Sequence, residues 1–508
     1  LGLAREQTIA ALFGTTAVAS IFSAVSRVPT MVYDLLIGGA ITSALIPVFS
    51  EIAGRGEKDA GADRELRTVS GAMLALTLVV LVPVVGALVL AAPWLIDLLG
   101  VGFAPDVREQ GVLLTRVALP SVVLLGAAAV LMAVLYALHR VTIPSFAAAA
   151  YNAGIIGCAL LLAPAFGVVG LVVGLLVGAA AQLVLQLVGL RDRLPHLTLA
   201  LGQPAVRRIM RLYAPVAGGL VISSLVVVLD TRLASLTGEA SLAAMRYATQ
   251  VVQLPLGLVA TALSFAVLPV LSRAGGAGAG GAGGAIDPAF RETLALGIRA
   301  ALVLIAPMTV ALMTLRMPVI ALLFGYGAFG AQDVAVTGTA LFYYAPQLPF
   351  VAVDQLLIAA FYALQNTKLP VLVGVVCAGV YSAVALASVQ PMGMAGLVLA
   401  NTVQHGAHAV ILFTALAVRH ADAVPRGLWA ALGRVGAAAA LMGVVCLVFQ
   451  RVVPEPNGAP ALAAYVSAAL ALGGGTYLAA MMVLGGEEVA LARSLVLRRM
   501  AARRGAGG

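Results

Sequence analysis

The stretch from Pro346 to Pro370, PQLPFVAVDQLLIAAFYALQNTKLP, has a counterpart earlier in the chain, where Pro120 to Pro144 reads PSVVLLGAAAVLMAVLYALHRVTIP. The two are equally long, and Tyr136, Ala137, Leu138 and Pro144 map onto Tyr362, Ala363, Leu364 and Pro370 at an offset of 226 residues. The offset persists downstream, where Gly167, Gly170, Leu171 and Val172 correspond to Gly393, Gly396, Leu397 and Val398. A second echo, offset by 222, sets Leu36, Ala40, Ala44, Pro47, Val48 and Ser50 against Leu258, Ala262, Ala266, Pro269, Val270 and Ser272. Two offsets that differ by only four residues describe one long unit used twice. The chain is therefore read as two similar halves.

Hydrophobic residues make up 62% of the chain and charged residues 10%, against roughly a quarter charged in soluble proteins. That composition predicts an all-α polytopic membrane protein. A helix needs about 20 apolar residues to cross about 30 Å of hydrocarbon. Thirteen runs qualify, near 17–50, 68–98, 109–138, 143–163, 167–190, 209–236, 242–271, 293–324, 336–364, 369–388, 394–418, 428–450 and 460–484. A fourteenth helix begins at Leu1, where 1–13 gives only about 20 Å of helix. With no initiator Met, the N-terminus is expected to be truncated and this first helix incomplete. The expected organisation is an N-terminal lobe over 1–190, a C-terminal lobe over 205–418, two further helices over 426–484 and a basic cytoplasmic tail over 485–508. Residues 274–285, almost pure Gly and Ala, read as a flexible linker.

Fourteen spans put both termini on one side of the membrane. Lys and Arg number 21 on one set of breaks, from Arg55 to Arg504, and 2 on the other, Arg108 and Arg451. The positive-inside bias then makes both termini cytoplasmic. It also accounts for the net charge of +9 without nucleic acid, for which no basic stretch interleaved with aromatics exists. Cys158, Cys377 and Cys446 each lie inside an apolar run, as small buried residues rather than a disulfide or a metal site.

Charges remaining inside the spans are the functional candidates, because an ionised side chain in hydrocarbon costs several kcal/mol unless it is paired or wetted. Arg5 with Glu6, Arg27 with Asp34, and Asp230 with Arg232 are the expected pairs. They read either as the lining of a water-filled substrate cavity or as structural pairings. Asp354, Gln355, His405 and His408 add polarity to the second half, with the two histidines expected as a hydrogen-bonded pair rather than a metal site. Arg116, Arg316 and Arg434 lie near helix ends and are expected to snorkel. There is no phosphate loop, His-Glu-x-x-His motif or nucleophile elbow, so no enzyme and no cofactor is expected.

Several strings are more specific. They include LGLARE at 1–6, ALFG at 11–14, Arg27-Val28-Pro29 and PVFSE at 47–51, with Leu229-Asp230-Thr231, Leu254-Pro255-Leu256-Gly257 and Leu268-Pro269-Val270 following. FYAL at 361–364 with Asn366, Thr367, Lys368 and Pro370 completes the set. In them the chain resembles the MurJ/MviN family of lipid II flippases, within the multidrug/oligosaccharidyl-lipid/polysaccharide exporter superfamily. The resemblance implies two six-helix lobes around a central cavity, plus two C-terminal helices lining a groove for a polyprenyl tail. It also implies a polyprenyl-pyrophosphate-linked substrate, contacted by Arg5, oriented by Glu6 and assisted by Arg27 and Arg246. Asp34 completes the substrate-binding set, and Asp230 and Asp354 are candidates for the cavity or for ion coupling.

The sequence departs from the family pattern in three places. Tyr33-Asp34 stands where an arginine pair is usual, Thr249-Gln250 where Asp-Arg is usual, and Leu369 to Ser388 lacks the acidic and amide groups of the family's sodium site. The expected function is a lipid II flippase working by alternating access in the bacterial cytoplasmic membrane. Alternatives are a flippase for another lipid-linked oligosaccharide, a small-molecule exporter of the same fold, or a transport-inactive scaffold whose partners are cell-wall synthesis proteins. The charge asymmetry predicts a labelling pattern. Single cysteines placed at Ser388 and Asn457 should react with impermeant thiol reagents on intact cells, whereas one at Ala279 should not. Labelling of Ala279 from outside contradicts the fourteen-span topology.

Overall fold

The computed structural model describes residues 1–38, 41–55, 60–200, 202–278, 288–419 and 427–485, and every regular element among them is helical. Residues 279–285 of the Gly-Ala linker and the basic tail lie outside the described residues. Eleven described helices are long and apolar enough to cross a membrane, and a pair bent by 42° at a short break makes a twelfth. The sequence spans at 1–13 and 242–271 fall on two further helices, of 12 and 38 residues. The protein is a multi-pass membrane protein.

The chain divides into two compact units, Leu1–Arg246 with Tyr326–Asp333, and Tyr247–Gly325 with Val334–Gly508. The first begins with α1 (Gly2–Phe13) and α2 (Ala17–Tyr33), whose Thr16 side chain accepts from the Ala19 N–H as an N-cap. After Pro29 the helix loosens into two π-helical turns, Asp34–Gly38 and Ile41–Leu45, before α3 (Ile46–Arg55) resumes the regular ladder. The Tyr213 hydroxyl donates to the Leu35 carbonyl inside this widened stretch. There follow α4 (Ala60–Leu90), α5 (Ala92–Leu99), α6 (Pro105–Ala118), α7 (Ser121–Ala137), the single turn α8 (Thr142–Ser145), α9 (Ala147–Phe166), α10 (Val168–Gly189), α11 (Pro204–Ser235) and the start of α12 (Ser241–Gly278). The unit's main core gathers Phe49, Ile52, Leu131, Val134 and Leu135, all fully or almost fully buried.

Helices α9 and α10 meet through glycine. A Cβ on Gly154 would lie 2.6 Å from the Gly178 Cα, and one on Gly178 would lie 2.4 Å from the Tyr151 carbonyl oxygen. Within a membrane, where apolar side chains gain nothing from leaving lipid, such close backbone approach is what binds helices together. The segment Tyr326–Asp333 also packs in this unit. The Asp333 carboxylate accepts from the Thr15 N–H (3.1 Å), the Thr15 hydroxyl and the Gly330 N–H (2.7 Å), while the Ala328 N–H donates to the Ala11 carbonyl.

The second unit holds most of α12, then α13 (Pro288–Thr314), α14 (Arg316–Phe324), α15 (Ala331–Tyr344), α16 (Gln347–Ala363), α17 (Lys368–Met392), α18 (Met394–Arg419), α19 (Leu428–Val452) and α20 (Ala459–Val483). The last two helices pack on each other and on α13, with Tyr477 donating to the Val303 carbonyl and Gln450 to the Thr314 carbonyl. On α20 only one stripe is buried, Leu462, Tyr465, Val466, Ala469, Gly473, Tyr477 and Met481. Leu470, Leu472, Leu478 and Met482 on the remaining face are open to the surroundings, as on a helix that meets lipid. Arg316 is held by the Met313 carbonyl and by the Phe342 ring, 4.9 Å away.

Duplication extends to the backbone. At the sequence offset of 226, α6 coincides with α15 and α7 with α16 in both bounds, while α9 and α17 end, and α10 and α18 begin, at equivalent residues. Even the strained positions repeat. His139 and Gln365 both sit at φ 57°, and in each case the following N–H, of Arg140 or Asn366, bonds back five residues to Leu135 or Phe361. This is the Schellman closure of a helix, built here without glycine.

Gly167 and Gly393, at φ 57° and 58°, turn the chain between α9 and α10 and between α17 and α18. Their ψ values of −138° and −134° belong to a region that side chains rarely enter. A Cβ at either position meets nothing within 4 Å, so any loss on substitution comes from the backbone alone. Gly167→Ala and Gly393→Ala should each cost about 1–3 kcal/mol, read as similar falls in the unfolding midpoint in detergent. Wild-type stability of both variants would contradict the assigned turn.

Candidate functional site

Glu6 is the most deeply buried charged side chain among the described residues, with 2% of its side chain exposed. It lies in the first half of α1, which packs against α9 and α2. Two arginines share it. Arg5 donates to Oε1 from Nε at 3.0 Å and from Nη2 at 2.6 Å. Arg246, from the start of α12, donates to Oε2 from Nε at 2.8 Å and to Oε1 from Nη2 at 3.0 Å, the two-pronged fork that guanidinium offers a carboxylate. A third Arg246 nitrogen reaches the Ser26 hydroxyl at 2.8 Å, and its guanidinium lies 5.1 Å from the centre of the Phe22 ring, close enough for cation–π attraction.

Two positive charges and one negative leave the cluster with a single positive charge in excess. Arg5 spends Nε and one terminal nitrogen on Glu6; its other terminal nitrogen has no protein partner among the described residues. The side chains of Arg5 and Arg246 stay 21% and 20% exposed. The carboxylate is thus sealed, while part of each guanidinium is not.

The other expected pairs form differently. Arg27 does not pair with Asp34; it donates to Asp230 Oδ2 at 2.8 Å and to the Thr231 hydroxyl at 2.7 Å, both on α11. Arg27 and Asp34 are seven residues apart, about 10.5 Å along a helix, and Asp34 opens the first π-helical turn. Nor does Arg232 pair with Asp230, since residues two apart on a helix point to different sides. Its guanidinium instead donates to the Leu98 carbonyl at 3.1 Å. In the second unit His408 pairs with Asp354, not with His405, at 2.5 Å from Nδ1 to Oδ1. No group of three metal-ligating side chains occurs among the described residues. At an exposed break between spans, Arg140 pairs with Asp192 and holds its carboxyl down at about 2.

The sequence pointed to Arg246 only as an auxiliary positive charge, and it gave no sign of Asp333 or Thr15. The signal for Arg246 was available: an intramembrane arginine with no acidic residue within one turn has to find one farther off in the chain.

The family model described as "Lipid II flippase MurJ" matches residues 9–464. The chain belongs to this family. Arg246 lies inside the matched range, and Arg5 and Glu6 stand just ahead of it. The lipid II flippase MurJ of Burkholderia cenocepacia is 30% identical over 434 residues, covering 82% of this chain and 81% of the relative. The probable lipid II flippase MurJ of Thermotoga maritima is 26% identical over 449 residues, covering 88% and 87%. Among solved structures, a lipid II flippase MurJ in an inward closed conformation matches with a TM-score of 0.79 at 18% identity, covering 97% of each chain. An inward-facing multidrug MATE transporter matches at 0.69 over 83% of this chain and 94% of its own. The two structural matches show the shared transporter fold.

The MurJ-family chain should reveal the hierarchy of its cluster on mutation. Glu6→Ala strands two partly buried cations and should cost about 3–5 kcal/mol. Arg246→Ala should cost less, and Arg5→Ala least, because Glu6 keeps its forked partner. Unfolding midpoints in detergent check this order. An Arg5→Ala loss equal to that of Glu6→Ala would contradict it.

Proposed function

We propose that the protein is a flippase that moves lipid II, a polyprenyl-pyrophosphate-linked peptidoglycan precursor, across the bacterial cytoplasmic membrane by alternating access, with both termini cytoplasmic. Family membership supports the transport reading, and a family of flippases is one of transporters rather than of enzymes. One observation carries the substrate reading: an excess positive charge beside a buried carboxylate, presented by Arg5, whose outer nitrogen has no protein partner among the described residues. A pyrophosphate needs charge-assisted donors in such surroundings. Arg5 would supply them directly, Glu6 would fix the plane of its guanidinium, and Arg246 would hold Glu6 while adding its own charge.

The Arg27–Asp230 pair is neutral overall and would join α2 to α11 rather than grip the substrate. Asp34, a negative charge at a π-helical turn, would repel pyrophosphate and help its release. Each charge-assisted bond is worth about 1.5–3 kcal/mol, so Arg5→Ala should weaken substrate affinity by about ten- to a hundredfold. Arg5→Lys, which keeps the charge and loses the planar fork, should fall between. Complementation of a flippase-depleted strain at matched membrane abundance reads the difference. If Arg5 serves only to neutralise Glu6, Arg5→Ala, which leaves Glu6 its forked partner Arg246, should still support growth, and that result would overturn the substrate-binding role.

A further inference from the structure

The second repeat carries an ionisable pair that the first repeat lacks. Asp354 stands near the middle of α16 and His408 near the middle of α18, with side chains 11% and 13% exposed and 2.5 Å between Oδ1 and Nδ1. At the offset of 226, Asp354 corresponds to Ala128 and His408 to Gln182. α7 and α10 therefore pack in the same fold with neither charge, so the architecture does not require the pair.

Helix α16 packs against α13, α17 and α18, and α18 against α16 and α17. Two titratable groups on these helices act electrostatically on the pair: His405, one turn from His408, and Cys377 of α17. Tyr381 of α17 is buried one turn beyond Cys377. The charged residues of the same helices lie toward their ends. Lys368 and Arg419 are the terminal residues of α17 and α18, and Arg291, Glu292 and Arg299 fall in the first half of α13. No second carboxylate stands in the middle stretches of these four helices.

We propose that Asp354 and His408 form a proton-binding site in the second repeat, through which proton movement is coupled to the transport cycle. In the loaded state His408 is an imidazolium that donates Nδ1–H to the Asp354 carboxylate. On unloading, one N–H bond of the ring breaks and its proton passes to water. The pair then goes from neutral to a net charge of −1, a change that is costly in hydrocarbon and favours a conformation that wets the site. The site rests on the transport reading for its purpose, but not for its existence.

The test uses the full chain in two arms. In nanodiscs with ¹⁵N-labelled histidine, His408 should show both ring nitrogens protonated at neutral pH in the wild type, and only one in Asp354→Asn. In proteoliposomes loaded with labelled lipid II, a pH step of about one unit biases a one-proton cycle by up to about tenfold, so wild-type flipping should change markedly with the direction of the step. Asp354→Asn and His408→Gln should lose that dependence. A singly protonated wild-type His408, or gradient dependence that survives in both variants, overturns the proposal. Failure of the wild type to move lipid II under any gradient refutes the flippase reading instead, and the histidine spectra then decide the proton site alone.

Discussion

A carboxylate with 2% of its surface exposed, inside a chain built to sit in hydrocarbon, has to be neutralised by its own protein. Glu6 meets that requirement with two guanidinium groups 241 residues apart in sequence, one beside it on α1 and one at the start of α12. Much follows from the arrangement. It ties the first helix to the start of α12, draws Ser26 and Phe22 of α2 into the same network, and leaves one positive charge more than the protein needs. A simple pair would be neutral, whereas two guanidinium groups on one carboxylate carry a net positive charge.

The fold was largely legible in the sequence because duplication writes it twice. The echo between Pro120–Pro144 and Pro346–Pro370 reappears as two 17-residue helices with equivalent ends, down to matching left-handed residues at His139 and Gln365. The site was legible only in part. Arg5 and Glu6 are neighbours, so their pairing could be anticipated. The partners of Arg27 and Arg246 could not be found by local reading, because they lie about 200 to 240 residues away and helical spacing reports only on residues within a turn or two. The π-helical turns after Asp34 were equally hidden, since nothing in local propensity distinguishes a widened turn from an ordinary one.

The repeats share a scaffold and differ in chemistry. Positions 128 and 182 in the first hold a fully buried alanine and a nearly buried glutamine, where the second holds Asp354 and His408. The cationic triad in turn belongs to the first unit alone. Duplication supplies the helices and their glycine turns, and each copy carries its own buried ionisable residues, Glu6 in the first and Asp354 in the second.

The central claim is that the surplus charge around Glu6 recognises pyrophosphate. Its most direct test is a binding titration of the purified chain by native mass spectrometry, comparing lipid II with the same glycan on a polyprenyl monophosphate. The account predicts tighter binding of the pyrophosphate form by about tenfold, the value of one charge-assisted bond, and loss of that preference in Arg5→Ala. Equal affinity for the two lipids, or a preference untouched by Arg5→Ala, would contradict it.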